Sequence, residues 1–292
     1  MVPQHLKGFL FADDFQAYLE IDLKDLEHGI AQSNSDLQRI NEWITCRGMQ
    51  LNVSKSKVMI IGLKNKINKI DFGSVSKLNV NGGDLEYCKT IKNLGVIFDE
   101  NLSFEAHNNF KVQKAYGVLN RIRHTRHTIP SYVKRDMVTA LVDPIIDYGK
   151  IITYGWGVNG MNGDENRILV VDNDKISYVF DSKCHEHITG FRDRLNAYKP
   201  DERAMIHSAI LIYKHLKGQT PAYLNDLVIV NNNNTRANGS LRVGKPRTEF
   251  DKRAFSYSAI LFWNKIPKHI VDLPTIDKFR KNLKIWIREI RE

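Results

Sequence analysis

The chain has 292 residues, 42% of them hydrophobic and 26% charged, which excludes a disordered or fibrous polymer and allows two or three modest cores. Its net charge of +10 and pI near 9.4 favour a polyanionic partner, most simply nucleic acid, although a soluble protein that is merely basic fits the same figures. Three widely spaced cysteines (Cys46, Cys88, Cys184) exclude a disulfide framework, no apolar run approaches the roughly 20 residues of a membrane span, and no signal-peptide pattern opens the chain, so an intracellular protein, nuclear or cytoplasmic and not secreted, is expected.

The first element is Gly8-Phe9-Leu10-Phe11-Ala12-Asp13-Asp14-Phe15, in which two apolar runs flank a pair of carboxylates. This reads as the tip of a β-hairpin, where adjacent Asp residues suit a hard divalent cation. Leu26, Ile30, Leu37, Ile40 and Ile44 then recur at helical spacing, with Asp25, Glu27, Asp36, Arg39 and Glu42 on the other face and Gly48 as the left-handed cap. Leu51 and Val53 start a short strand, and Val58 to Gly62 reads as a buried one. Leu78 and Val80 alternate into Asn81-Gly82-Gly83 and out through Leu85 and Tyr87, a hairpin signal, and Leu94 to Phe98 forms a further strand. Residues 1–108 therefore predict an α+β region with a helix packed on an antiparallel sheet.

Val112, Ala115, Leu119 and Ile122 make the stripe of a helix whose other side carries Lys111, Lys114, Arg121, Arg123 and Arg126. A second helix begins at Ser131, with Val133, Met137 and Leu141 four residues apart. The pair over 109–154 is either a phosphate-binding face or a solvated charged one. Residues 155–182, with glycines at 155, 157, 160 and 163, read as an irregular linker. Residues 183–292 read as mostly helical. Ile206, Ala209, Ile210, Tyr213 and Leu216 form one stripe, stopped by Gly218 and Pro221. Ala254 to Trp263 forms an aromatic helix. Thr275 caps a last one with the stripe Phe279, Leu283, Trp286 and Ile290.

Phe11-Ala12-Asp13-Asp14 resembles the aromatic-Ala-Asp-Asp box of reverse transcriptases. Leu51-Asn52-Val53-Ser54-Lys55-Ser56-Lys57, Leu94-Gly95-Val96-Ile97-Phe98-Asp99 with Leu102-Ser103-Phe104, and His107 follow in the order found in non-LTR retrotransposons, the jockey-like elements above all. Phe191-Arg192-Asp193-Arg194-Leu195, Pro221-Ala222-Tyr223-Leu224 and Phe262-Trp263-Asn264-Lys265-Ile266-Pro267 extend the resemblance over most of the chain outside 155–182. The resemblance implies the later part of a reverse-transcriptase palm, then a helical thumb and a helical C-terminal region.

By the same resemblance, Asp13 and Asp14 are the catalytic carboxylates that hold Mg2+. Lys55 protonates the leaving pyrophosphate, though an exposed turn lysine accounts for it equally well. Leu94, Gly95 and Val96 form the primer grip, and Lys111, Lys114, Arg121, Arg123 and Arg126 grip the duplex phosphates. The implied activity is RNA-directed DNA synthesis (a nucleotidyltransferase), with RNA template and DNA primer as partners and no membrane. Only twelve residues precede Asp13, so the other catalytic Asp and the fingers are expected to be missing, dNTP to bind only if that half is supplied, and the chain alone to be inactive. The alternatives are a non-catalytic nucleic-acid-binding remnant and a functionless relic. Cys184, His185 and His187 lack the four ligands of a structural zinc site and read as surface residues, as Asp172, Asp174 and Asp181 read as a solvated loop. Trp156, Trp263 and Trp286 could stack bases, with core packing favoured for the last two. The central palm hairpin is expected to carry an unpaired, aggregation-prone edge.

Overall fold

The computed structural model describes residues 4–153, 163–182, 187–231 and 240–290. The chain divides into two compact units, Met1–Ala106 and His107–Glu292. Helix and strand are mixed, as an α+β chain requires, and no helix of the described residues is long and apolar enough to cross a membrane.

In the first unit, β1 (Lys7–Phe11) and β2 (Asp14–Tyr18) form an antiparallel hairpin with Phe11 opposite Asp14. Helix α1 (Leu26–Thr45) follows and buries Gly29, Ile30, Ser33, Asp36 and Ile40. It ends in a Schellman motif: Gly48 has φ 73°, its amide donates to Thr45, and the Met49 amide donates to Ile44. After the single turn α2 (Lys64–Ile67) come two more hairpins, β3 (Asn79–Val80) with β4 (Gly83–Asp84) and β5 (Thr90–Asn93) with β6 (Val96–Asp99).

These are three separate two-stranded sheets, not the single sheet expected from the sequence. Val58 to Gly62 supplies no ladder. It makes one parallel bridge, Val58 to Tyr87, and two backbone bonds, Cys88 N–H to Val58 and Gly62 N–H to Glu100. Leu51 and Val53 lie beside a turn in which the Asn52 side chain accepts from Ser54 Oγ and the Lys55 amide. Asp36, expected on the polar face of α1, is fully buried. Its carboxylate accepts from the amides of Gln4, His5 and Leu6 at 3.0, 2.7 and 2.8 Å and so anchors the segment leading into β1. Burial pulls its pKa upward, and the Leu6, His5 and Gln4 amides outweigh that and hold it below the ordinary value.

The second unit is helical. Its elements are α3 (Glu105–Arg123), α4 (Ser131–Leu141), α5 (Asp143–Asp147), α6 (Lys150–Thr153), α7 (Gly163–Phe180), α8 (Ile188–Arg194), α9 (Pro200–Leu216), α10 (Glu249–Arg253), α11 (Phe255–Trp263), α12 (Lys268–Val271) and α13 (Ile276–Glu289). One core joins α3, α4 and α7 through Ala115, Leu119, Val138, Val142, Val171 and Val179. A second joins α9, α11 and α13 through Ile212, Tyr213, Ile260, Trp263, Phe279 and Leu283, with Tyr213 stacked on Phe279 at 4.4 Å between ring centres. Trp263 is core and Trp286 packs on Phe262, as their apolar setting predicts.

Residues 163–180, read from the sequence as linker, are the helix α7. Its inward side is Ile168, Val171, Asp172, Lys175, Ile176 and Val179, a regular i, i+3, i+4 spacing that two charged members conceal. The expected stripe of α4 is likewise displaced. Lys134 and Val138 are buried and Leu141 is exposed, because Lys134 reaches both carboxylate oxygens of Asp181 at 2.7 Å. On α13 the third buried position is Ile287, with Trp286 half-buried and Ile290 exposed.

Candidate functional site

The carboxylate pair sits at the tip of the first hairpin, where Ala12 and Asp13 form a two-residue loop with Ala12 at φ 52°. Asp13 and Asp14 are both exposed, as are Phe9, Leu10 and Phe11, with Leu10 at 73%. Alternation along β2 puts Asp14, Gln16 and Tyr18 on one face, opposite Phe11, Phe9 and Lys7. On that face Phe9 stacks on Tyr18 at 6.1 Å, and Gln16 Nε2 donates to Asn93 Oδ1 at 2.7 Å.

Asn93 is the last residue of β5, so this bond ties the carboxylate hairpin to the loop Leu94-Gly95 and to Val96, which opens β6. Leu94 and Gly95 have φ 44° and 84°, the positive values that a primed two-residue hairpin loop requires at both positions. Gly95 meets this freely and Leu94 under strain. The structure thus brings Asp14 and the predicted primer grip onto one connected pair of hairpins. Asp99, the last residue of β6, accepts from the amides of Asn101, Ser103 and Phe104 at 3.1, 2.9 and 2.7 Å and so fixes the turn that leads into α3.

Lys55 lies in the Asn52 turn, exposed and engaged in no ion pair among the described residues. No hydrogen bond or ion pair joins it to either carboxylate, and no group of three His, Cys, Asp or Glu side chains is gathered as a metal site among the described residues. The oxygen donors of Asp13 and Asp14 suit magnesium in kind but not in number, because a two-metal site needs a further bridging carboxylate.

The basic residues of α3 and of the turn after it divide. Lys114 and Arg121 are exposed. Arg123 lies 3.6 Å from Asp174, and Arg126 is held by Asp181 at 3.1 Å and the Ser182 carbonyl at 2.7 Å. Lys111 is a correction. It is only 2% exposed, with Nζ on Thr153 Oγ1 at 3.3 Å, and so faces inward, away from any phosphate. Asp174 and Asp181 serve as partners to these cations and are not solvated loop residues.

Sequence reasoning missed a buried ionic cluster joining α5 to α9. Asp172, fully buried, pairs with Lys175 at 2.7 Å, Arg192 at 2.6 Å and Arg203 at 3.0 Å. Arg203 also pairs with Asp147 at 2.9 Å, Lys150 with Asp147 at 2.7 Å, and Lys175 with Asp143. With Lys111 the cluster holds five cations against three carboxylates. Burial lowers the Lys150 pKa to about 7, with Arg203 adding to the fall and Asp147 opposing it. Burial likewise lowers Lys111 to about 8 against the pull of Asp147, and His107, buried beside Lys111, to about 4. The i, i+3 spacing of Asp172 and Lys175 was the one sequence signal of this cluster.

Cys184, His185 and Trp156 fall outside the described residues, and His187 precedes α8. Against known protein families, curated proteins and solved structures, the chain matches none.

Proposed function

We propose that the chain carries part of the palm and the adjoining helices of a non-LTR-type, RNA-directed DNA polymerase, and that alone it binds nucleic acid without extending a primer. The observation that carries this reading is the Gln16–Asn93 bond, which ties the Asp13-Asp14 hairpin to the Leu94-Gly95 turn. A polymerase needs that juxtaposition, with metal-binding carboxylates beside a backbone turn slim enough to approach a primer terminus. Asp13 and Asp14 are the magnesium ligands on this reading, and magnesium would supply charge neutralisation at the transferring phosphate. Two carboxylates do not fix two ions, so the pair alone does not complete a two-metal site. The absence of a third clustered ligand among the described residues favours the second reading, nucleic-acid binding without chemistry.

The test is primer extension on an RNA template with magnesium, using the chain alone and then mixed with a separately expressed upstream palm–fingers fragment of a non-LTR reverse transcriptase. Extension only in the mixture, and its loss with Asp13→Ala, is the expected result. Extension by the chain alone would show that it supplies the third carboxylate. No extension in either, with salt-sensitive binding retained, would leave the binding reading.

A further inference from the structure

Among the described residues, exposed cations that no carboxylate neutralises stand in two runs: one over residues 55–77, on turns around the short helix α2, and one at the end of the chain, on regular helices. Residues 265–289 hold seven Lys and Arg against three Asp and Glu, a net +4. They build α12 and α13, which share one core through Ile270 and Phe279. Because α13 buries Phe279, Leu283 and Ile287, Lys278 and Lys281 stand one turn apart on its exposed side. Lys265 and Lys268 are exposed where the chain enters α12. None of these four lysines makes an ion pair among the described residues, whereas Arg280 lies 3.6 Å from Asp277, and Lys284 and Arg288 lie over the Tyr198 ring.

Such a surface has a local cost. Arg280, Lys284 and Arg288 follow one another at i, i+4, and Lys278, Lys281 and Lys284 at i, i+3. Like-charge neighbours of this kind destabilise a helix. A bound polyanion relieves that repulsion. An anionic membrane is the poorer match, because the apolar side of α13 is committed to the core and cannot enter lipid. We propose that Lys265, Lys268, Lys278 and Lys281 form a sequence-independent contact for a nucleic-acid phosphate backbone, and that this surface outweighs the largely neutralised end of α3. The inference rests on the reading that the chain binds nucleic acid and goes beyond it in placing the contact, and it does not need the polymerase chemistry.

The experiment compares the full chain with K265Q/K268Q/K278Q/K281Q by fluorescence anisotropy on a labelled RNA–DNA hybrid across a salt series. The control, K64Q/K66Q/K69Q/K77Q, removes the same charge from exposed positions in the first unit. Each lost phosphate contact flattens the log K against log salt slope by about 0.9, so the α12–α13 variant should lose about 3 to 4 in slope and more than about tenfold in affinity near physiological salt. The control should lose far less. The double variant K278Q/K281Q should fall about halfway, and unchanged helical content certifies the fold of each. Equal losses in both quadruple variants, no binding by the parent chain, or preference for phosphatidylserine vesicles over the hybrid would each overturn the proposal. Primer extension in the reconstituted mixture is read separately, so a failure of one inference leaves the other visible.

Discussion

The buried lysines of the second unit predict that it gains stability as the solution becomes more alkaline. Lys150 is 2% exposed and titrates at about 7, and Lys111, equally buried, at about 8, against 10.5 for an ordinary lysine. Between the folded and the ordinary value, the unfolded chain holds a proton that the folded chain has released. Stability therefore rises with pH, by about 1.4 kcal/mol per pH unit for each lysine. From about pH 8 to 9.5 both lysines act together, giving a slope of up to about 2.7 kcal/mol per pH unit. For a unit of this size that moves the melting temperature by about 5 °C or more per pH unit. The other shifted groups do not reverse the sign in this window. His107, lowered to about 4, and His207, also lowered, add stability only as pH rises through the acid side, and the Asp147 and Asp172 carboxylates stay ionised throughout. The assay is thermal unfolding followed by helical circular dichroism at several pH values. Lys150→Met should remove about half the slope. A melting temperature that is flat or falls from pH 8 to 9.5 in the parent chain would refute the reasoning.

Further outcomes follow from the same structure. Asp172→Asn leaves Lys175, Arg192 and Arg203 facing a neutral amide and should destabilise the second unit by about 3–5 kcal/mol in a urea titration. Asp36→Ala strands the amides of Gln4, His5 and Leu6 and should cost about 2–4 kcal/mol, with faster hydrogen exchange along β1. Phe279→Ala removes a fully buried ring stacked on Tyr213 and should cost about 3–5 kcal/mol, read as an earlier denaturant midpoint. Arg126→Gln should lower stability yet leave the salt slope of nucleic-acid binding unchanged, because its guanidinium is already engaged by Asp181 and Ser182.

What was legible in the sequence depended on which residues carried the periodicity. The first hairpin, the cap at Gly48, the hairpin around Gly82 and the stop at Gly218 were readable because turns impose backbone angles that few residues meet, whereas Leu94 and Gly95, read as the start of a strand, are the turn between β5 and β6. The stripe of α3 was readable at Ala115, Leu119 and Ile122, and that of α1 only in part, because Ile30 and Ile40 share its buried side with Gly29, Ser33 and Asp36. Helix α7 was not, because Asp172 and Lys175 stand at core positions where only a partner from another helix makes them tenable. The same blindness misplaced Lys111, Lys134 and Asp36. A lysine or aspartate reads as surface until the residue that neutralises or hydrogen-bonds it, dozens of positions away, comes into view. The separation of the sheet into three hairpins was hidden for another reason: Val58 to Gly62 has strand-forming side chains, yet its backbone finds only isolated partners.

The arrangement around Asp172 also ties the opening of one helix of the second unit to that of its neighbours. Asp172 on α7 is shared by Lys175 of the same helix, Arg192 of α8 and Arg203 of α9, and Arg203 is shared in turn with Asp147 of α5. Moving any one of these helices away leaves a buried ion short of a partner. Opening of α7, α8 and α9 is therefore expected to be linked, which hydrogen exchange would read as matching protection of their amides.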